Sequence, residues 1–165
     1  MKRILLMIML SALALAGCGA SETFETISDV YVVSASAEPR TILLELPEEA
    51  ASPAMESGDT AQVYLCDGYA VMLEILPAGD LDRTLRTLTG FSADELMLIQ
   101  TGDGVQRYDC VWSSQAEEGD MIGRAAVLDD GQYHYTLSVL AEAELAGELE
   151  STWNMLFAGF ALSDA

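Results

Sequence analysis

After its second residue the chain contains no lysine, and His134 is its only histidine. Seven Lys and Arg residues stand against 27 Asp and Glu, a formal charge of −20 over 165 residues. A surface this acidic repels phosphate backbones, which excludes a general nucleic-acid binder. One histidine and three cysteines do not supply a zinc site at ligand spacing. No Gly-x-Ser-x-Gly elbow presents a nucleophile, and no glycine-rich loop opening a helix cradles a phosphate. What is present is apolar material, 51% of the residues, ample for a core and too much for disorder throughout. At this length one compact domain is expected.

The N-terminus must be separated from the fold before the rest is read. Met1-Lys2-Arg3 is a short basic region, and residues 4–16 are apolar except for Ser11. That run is too short to span a bilayer comfortably and suits the hydrophobic core of a secretory signal. It ends in Leu15-Ala16-Gly17-Cys18, which resembles the lipobox of bacterial lipoproteins. The resemblance implies a signal peptide over 1–17, acylation of the Cys18 thiol, cleavage before it, and acylation of the new amino terminus. Small residues before the cleaved bond fit a narrow peptidase cleft, and a thiol is the required nucleophile. A buried N-terminal helix with an incidental cysteine is the alternative.

Removal of the signal leaves Arg40, Arg83, Arg86, Arg107 and Arg124 as the basic residues, and with all 27 acids retained the formal charge becomes −22. Two or three acyl chains hold such a protein firmly to a membrane, since each buried methylene contributes about 0.8 kcal/mol. The acidic polypeptide stands away from anionic headgroups. Residues 18–23 form the lipidated N-terminus and a short polar tether, which keeps the domain close to the bilayer.

With Cys18 committed to lipid, Cys66 and Cys110 remain, an even pair in an exported protein, where disulfides persist. Asp67-Gly68 between two strand-like runs signals a two-residue hairpin in which Tyr64 faces Val71 and Cys66 faces Tyr69. Alternation then puts Cys66 with Tyr64, Val71, Leu73 and Ile75, and Cys110 with Tyr108 and Trp112. A disulfide between them would close a long loop and stabilise the fold by about 2–4 kcal/mol. Two buried thiols are the equal alternative.

Along the rest of the chain, residues 24–33 alternate weakly and 40–46 suggest a strand stopped by Pro47. Residues 48–60 are rich in Ala, Glu, Ser, Gly and Pro and read as a solvated loop. The hairpin of 61–66 and 69–76 ends at Pro77. Asp80 caps a helix carrying Leu81, Leu85 and Leu88, which Gly90 stops. Strands over 96–101, 106–114, 121–128 and 133–140 are separated by Gly-Asp-rich turns, the punctuation of an antiparallel meander. Leu145, Leu149, Trp153, Leu156 and Phe157 form an amphipathic stripe on a final helix, with Glu142 and Glu144 in its first turn and Gly159 as its stop. Residues 160–163 form a short terminal strand. Helices on an antiparallel sheet of six to eight strands give an α+β fold.

The tyrosine-rich strand Asp129-Asp130-Gly131-Gln132-Tyr133-His134-Tyr135-Thr136-Leu137, the helix with Trp153 and Phe157, and Phe160-Ala161-Leu162 together resemble the C-terminal half of PsbP-like α/β/α sandwich domains. The chain is also similar to small lipoproteins of anaerobic Gram-positive bacteria. The PsbP likeness covers about sixty residues and implies an architecture and an accessory or binding role without common catalytic residues. It transfers no site.

The residues themselves agree. His134 lies on the face of Thr136 and Ser138, where a structural hydrogen bond suffices to explain it. In a meander, Asp103, Asp129 and Asp130 share one end of the sheet, while Glu117, Glu118 and Asp120 share the other. The first group is a weak calcium candidate, although Asp is also simply a turn former. Tyr31, Tyr64, Tyr69, Tyr108, Trp112, Tyr133 and Tyr135 either line a groove or fill a core, and their shared faces with aliphatic residues favour a core.

The expectation is therefore a single α+β domain over 24–165, anchored by lipid to the outer face of the cell membrane, that acts as a non-catalytic binding or accessory module. Its partners would be the membrane, through the anchor, and an envelope protein or a cationic ligand. No cofactor is expected beyond the lipid on Cys18. The alternative is a cell-envelope hydrolase using paired carboxylates, which requires a deep cleft with two converging acids and one raised pKa. A structural accessory subunit would instead show a contiguous exposed apolar patch.

Overall fold

The computed structural model describes residues 38–50, 52–57, 60–102, 104–116 and 119–164. The signal peptide, Cys18 and its tether, the weak strand at 24–33, Tyr31, Asp103, Glu117 and Glu118 lie outside the described residues.

A strand β1 (Ile42–Leu43) is followed by a 3-10 turn (Glu48–Ala50), β2 (Met55–Ser57), β3 (Ala61–Leu65), β4 (Tyr69–Pro77) and helix α1 (Leu81–Thr89). Next come β5 (Ile99–Thr101), β6 (Gln106–Ala116), β7 (Gly119–Asp129) and β8 (Tyr133–Glu142). A 3-10 turn (Ala143–Leu145), helix α2 (Ala146–Gly159) and β9 (Ala161–Leu162) complete it. Seven strands form one sheet in the order β2-β3-β4-β8-β7-β6-β5, and every neighbouring pair is antiparallel. The strands β1 and β9 make a separate antiparallel ribbon in which Ile42 lies opposite Leu162.

The expected meander is the run β5 to β8, and its turns alternate between the two ends of the sheet. The hairpin β3–β4 then docks beside β8. Its register places Tyr64 opposite Val71, and the N–H of Cys66 donates to the carbonyl of Tyr69. Gly68 has φ 83°, the left-handed conformation that an Asp-Gly hairpin turn demands.

Each face of the sheet is covered by a helix because alternation along the strands makes both faces apolar. On one face α2 lays Trp153, Leu156 and Phe157 on Tyr135, Leu137, Val139, Tyr69 and Val71. On the other, α1 lays Leu85 and Leu88 on Cys110, Trp112, Ala125 and Val127. The result is an α/β/α sandwich with an antiparallel sheet, the α+β architecture expected. Asp80 caps α1 by accepting from the N–H of Asp82, and Gly90 ends it at φ 82°.

Three local expectations need correction. Within the stretch read as a solvated loop, Ala50 is buried and Met55 to Ser57 pair with β3, so tertiary pairing supplies a strand that local propensity does not. The strand expected over 40–46 has only two paired residues, since its partner β9 is equally short. Glu142 belongs to β8, opposite Met121, so the first turn of the final helix begins later than its acidic pair suggests.

Candidate functional site

Among the described residues, a cleft of about 400 Å³ opens on the α2 face between the segment 39–46 and the hairpin β3–β4. Its walls are largely apolar, with Ile42, Leu44 and Leu46 on one side and Tyr64, Leu73 and Ile75 on the other. Arg40, Thr41, Thr60 and Gln62 supply its polar groups, and Glu74 borders it. The Tyr64 hydroxyl donates to Gln62 Oε1 at 3.0 Å, which fixes both side chains on the floor. An apolar slot with a few placed polar groups suits an elongated or amphiphilic ligand.

One wall is bolted down by Arg40. Its backbone N–H donates to the Tyr135 hydroxyl at 2.8 Å, and its guanidinium donates to the carbonyl of Ser163 through Nε at 2.8 Å and through Nη2. The Tyr135 hydroxyl in turn donates to Asp130 Oδ2 at 2.9 Å. Asp130 Oδ1 also accepts the N–H groups of Gln132 and Tyr133. Partial burial opposes ionisation of Asp130, but those two N–H groups and the Tyr135 hydroxyl outweigh it and hold the carboxyl below the ordinary aspartate value. Burial pushes the Tyr135 phenol up, and the Asp130 carboxylate adds to the rise.

The chain Asp130–Tyr135–Arg40 therefore carries a pH dependence with a definite sign. A folded-state pKa below the unfolded one stabilises at neutral pH, and that contribution is lost as pH falls through the folded value. Asp130→Asn, which cannot accept from both sides as the carboxylate does, is expected to cost about 1–2 kcal/mol at pH 7 and less at pH 2. Urea titrations at the two pH values measure it.

Glu74 is the acidic member of the lining. Burial raises its carboxyl above the ordinary glutamate value. Its register opposite Thr136 assigns its side chain to the α1 face, away from Leu73 and Ile75. Where a carboxylate hydrolase needs two converging acids, the described lining contains one, and its carboxyl lies on the other face of the sheet.

The other residues singled out in the sequence sit elsewhere. His134 is 1% exposed beneath α1. Its Nδ1 lies 2.8 Å from the Thr84 hydroxyl and its Nε2 lies 3.6 Å from Asp129 Oδ2, so a ring protonated at Nε2 satisfies both neighbours. This is a helix-to-sheet tie on the face opposite the cleft. Of the aromatic set, Tyr64, Tyr69, Trp112 and Tyr135 are core residues, while Tyr108 and Tyr133 are half-buried.

A bridge between Cys66 and Cys110 is corrected by the topology. Cys66 packs with the α2-face cluster and Cys110 with the α1-face cluster, on strands separated by β4, β8 and β7. No disulfide joins them. Three intervening strands, each about 4.8 Å from the next, hold the two Cα atoms well beyond the separation that a disulfide requires. Burial, foremost, pushes the Cys110 thiol up to about 11, so it stays protonated and unreactive at neutral pH.

The calcium candidates Asp129 and Asp130 share a turn, as the meander requires. Their oxygens are used by that turn, with Asp129 Oδ1 accepting from Gly131 N–H at 2.8 Å and Asp130 bound as above. Among the described residues, no group of three or more His, Cys, Asp or Glu side chains is placed to hold a metal ion. Calcium at millimolar concentration is expected to shift the melting temperature by less than about 1 °C, since a ligand stabilises only by its affinity for the folded state.

Sequence reasoning missed the cleft, because its walls come from segments that no pattern links. No family model matches the chain, and no curated protein matches it. Several solved structures are similar to it, two of which follow. One is LpqN of Mycobacterium tuberculosis, described as involved in cell envelope biogenesis, at 15% identity over 78% of this chain and 88% of that one, with a TM-score of 0.45. The other is PA94 of Pseudomonas aeruginosa, described as a protein of unknown function and putative regulator, at 12% identity over 79% of this chain and 88% of that one, also with a TM-score of 0.45. Likenesses this distant assign neither a family nor an activity.

Proposed function

We propose that this chain is a lipid-anchored lipoprotein of the cell envelope that works as a non-catalytic binding or accessory module, with the cleft at residues 39–46 and β3–β4 as its ligand site. The observation that carries the binding role is the division of labour between the two faces. The α2 face holds an open apolar slot with few polar groups, whereas the chain's histidine and Cys110 are buried under α1 in structural positions. The anchoring rests on the resemblance of Leu15-Ala16-Gly17-Cys18 to a lipobox. Among the described residues no helix is long and apolar enough to cross a membrane.

A photoreactive residue at Leu44, in the cleft wall, tests the binding role in the native envelope, with one at the exposed Arg83 as control. Reproducible adducts from Leu44 alone support a ligand in the cleft. Equal labelling from both positions, or none from either, contradicts it.

Glu74 carries the raised carboxyl that the alternative, an envelope hydrolase, requires of its acid, but its register keeps that carboxyl on the α1 face, outside the cleft. The two readings separate on Glu74→Gln. If Glu74 is merely a buried carboxyl, the neutral isostere raises the melting temperature at pH 7 and leaves it unchanged near pH 3, where the glutamate is already protonated. If it is a catalytic acid, turnover is lost, by about a hundredfold or more.

A further inference from the structure

The sheet ends at β5, whose outer edge has no partner strand among the described residues. Sheet edges expose unpaired N–H and C=O groups, and folded proteins usually blunt them with charge, proline, bulges or a covering element. β5 is short, three residues, and acids precede it, but the strand itself carries no charge and no proline. Leu96 and Leu98 turn inward and pack against the α1-face cluster, while Met97 is 83% exposed and Ile99 61% exposed. Ile99 lies opposite Asp109 on β6, and the exposed Val111 follows two residues further along the same face. The outermost strands thus offer an apolar strip beside an open hydrogen-bonding edge.

We propose that β5 is a docking edge for strand addition by an extended peptide of a partner protein, apolar in alternation and flanked by basic residues. This deepens the binding role proposed above by naming a partner class, and it uses the edge of the sheet farthest from the cleft's hairpin in strand order. Main-chain hydrogen bonds would hold the peptide, and its alternate side chains would lie along Met97, Ile99 and Val111.

Charge selects the partner. Asp94 and Glu95, both exposed, precede the strand, and Asp103 follows it in the sequence. A second copy would bring Asp94 and Glu95 of two chains, each of net charge −20, to the same edge, acid against acid. Residues 24–33 of the chain itself carry Glu25 and Asp29 and no basic residue, so they meet the same repulsion. A strand with lysine or arginine at the end that meets Asp94 and Glu95 finds complementary charge there.

The test uses the full chain in detergent micelles and two synthetic peptides with the same alternating Val-Thr centre, one with lysine pairs at its ends and one with glutamate pairs. The lysine peptide is expected to bind at least about tenfold more tightly, and to lose affinity as salt rises. It should slow amide exchange at residues 97–101. The double substitution Met97→Ser, Ile99→Ser changes only exposed side chains and should weaken binding by about tenfold without changing the melting temperature. Equal affinity for the two peptides, no binding, or protection elsewhere would overturn the proposal. So would protection of 97–101 without peptide, which assigns the edge to a second copy if it appears with dimerisation, and to the chain's own N-terminal segment if it appears in the monomer. Labelling from Leu44 is read separately, so a failure at β5 leaves the cleft untouched and a failure at the cleft leaves β5 testable.

Discussion

Gly123→Ala is expected to destabilise the fold by about 1–3 kcal/mol, through a clash in a core that has no room to yield. Gly123 lies opposite Trp112 across the β6–β7 ladder. A Cβ at Gly123 would stand inside the contact distance of Cζ2, Cε2 and Cη2 of the indole. That ring is 9% exposed and is packed in the cluster with Leu85, Leu88 and Cys110, so it cannot swing out without opening the joint between α1 and the sheet. The second substitution Trp112→Leu should recover part of the loss, since it removes the atoms that clash. Chemical denaturation of the two single variants and the double variant measures the coupling, and additivity would show that the ring is not the cause.

Arg107→Ala is expected to cost about 2–4 kcal/mol, because one side chain serves three acceptors that would be left unmet. Arg107 donates from Nε to Asp109 Oδ2 at 2.7 Å and from Nη2 to Asp109 Oδ1 at 3.0 Å. The same guanidinium donates to the carbonyls of Phe157 at 2.8 Å and Phe160 at 3.2 Å. It therefore ties β6 to the C-terminal end of α2, where a cation also interacts favourably with the negative end of the helix dipole. Arg107→Lys should restore only a minor part of the loss, since an ammonium cannot reproduce the fork. Urea denaturation checks the magnitude, and full recovery by lysine would show that charge alone matters.

The elements written in local chemistry were legible in the sequence. Asp67-Gly68 fixed a hairpin and its register, Asp80 and Gly90 bounded α1, and the spacing of Trp153, Leu156 and Phe157 marked the buried stripe of α2. What local chemistry does not encode is which strand a hairpin docks against. Alternation correctly grouped Cys66 with Tyr64 and Cys110 with Trp112, but it does not relate one group to the other until β4 is seated on β8. For the same reason the two thiols were compatible with a bridge in sequence and are on opposite faces in the fold.

The cleft was invisible on similar grounds. Arg40 reaches Ser163 across 123 residues, and the wall it fixes faces a hairpin more than a dozen residues beyond the wall's end. In the sequence Arg40, Arg107 and Arg124 are only a small remainder of positive charge. In the fold each is a tie, with Arg124 stacked 4.2 Å from the Phe157 ring centroid and donating to Asn154 Oδ1 at 2.9 Å. The acidic excess is thereby left facing outward, which suits a partner of opposite charge.

The proposed role depends on attachment to the membrane through Cys18, which intact mass reads out. Intact mass of the chain extracted from its native membrane, compared with a Cys18→Ser variant, should give a polypeptide beginning at Cys18 and carrying two or three acyl chains. The variant should leave the membrane fraction, since a single short contact with acidic polypeptide does not replace buried acyl chains. A mass equal to the unmodified polypeptide, or a Cys18→Ser chain that stays with the membrane as fully as the original, would contradict it.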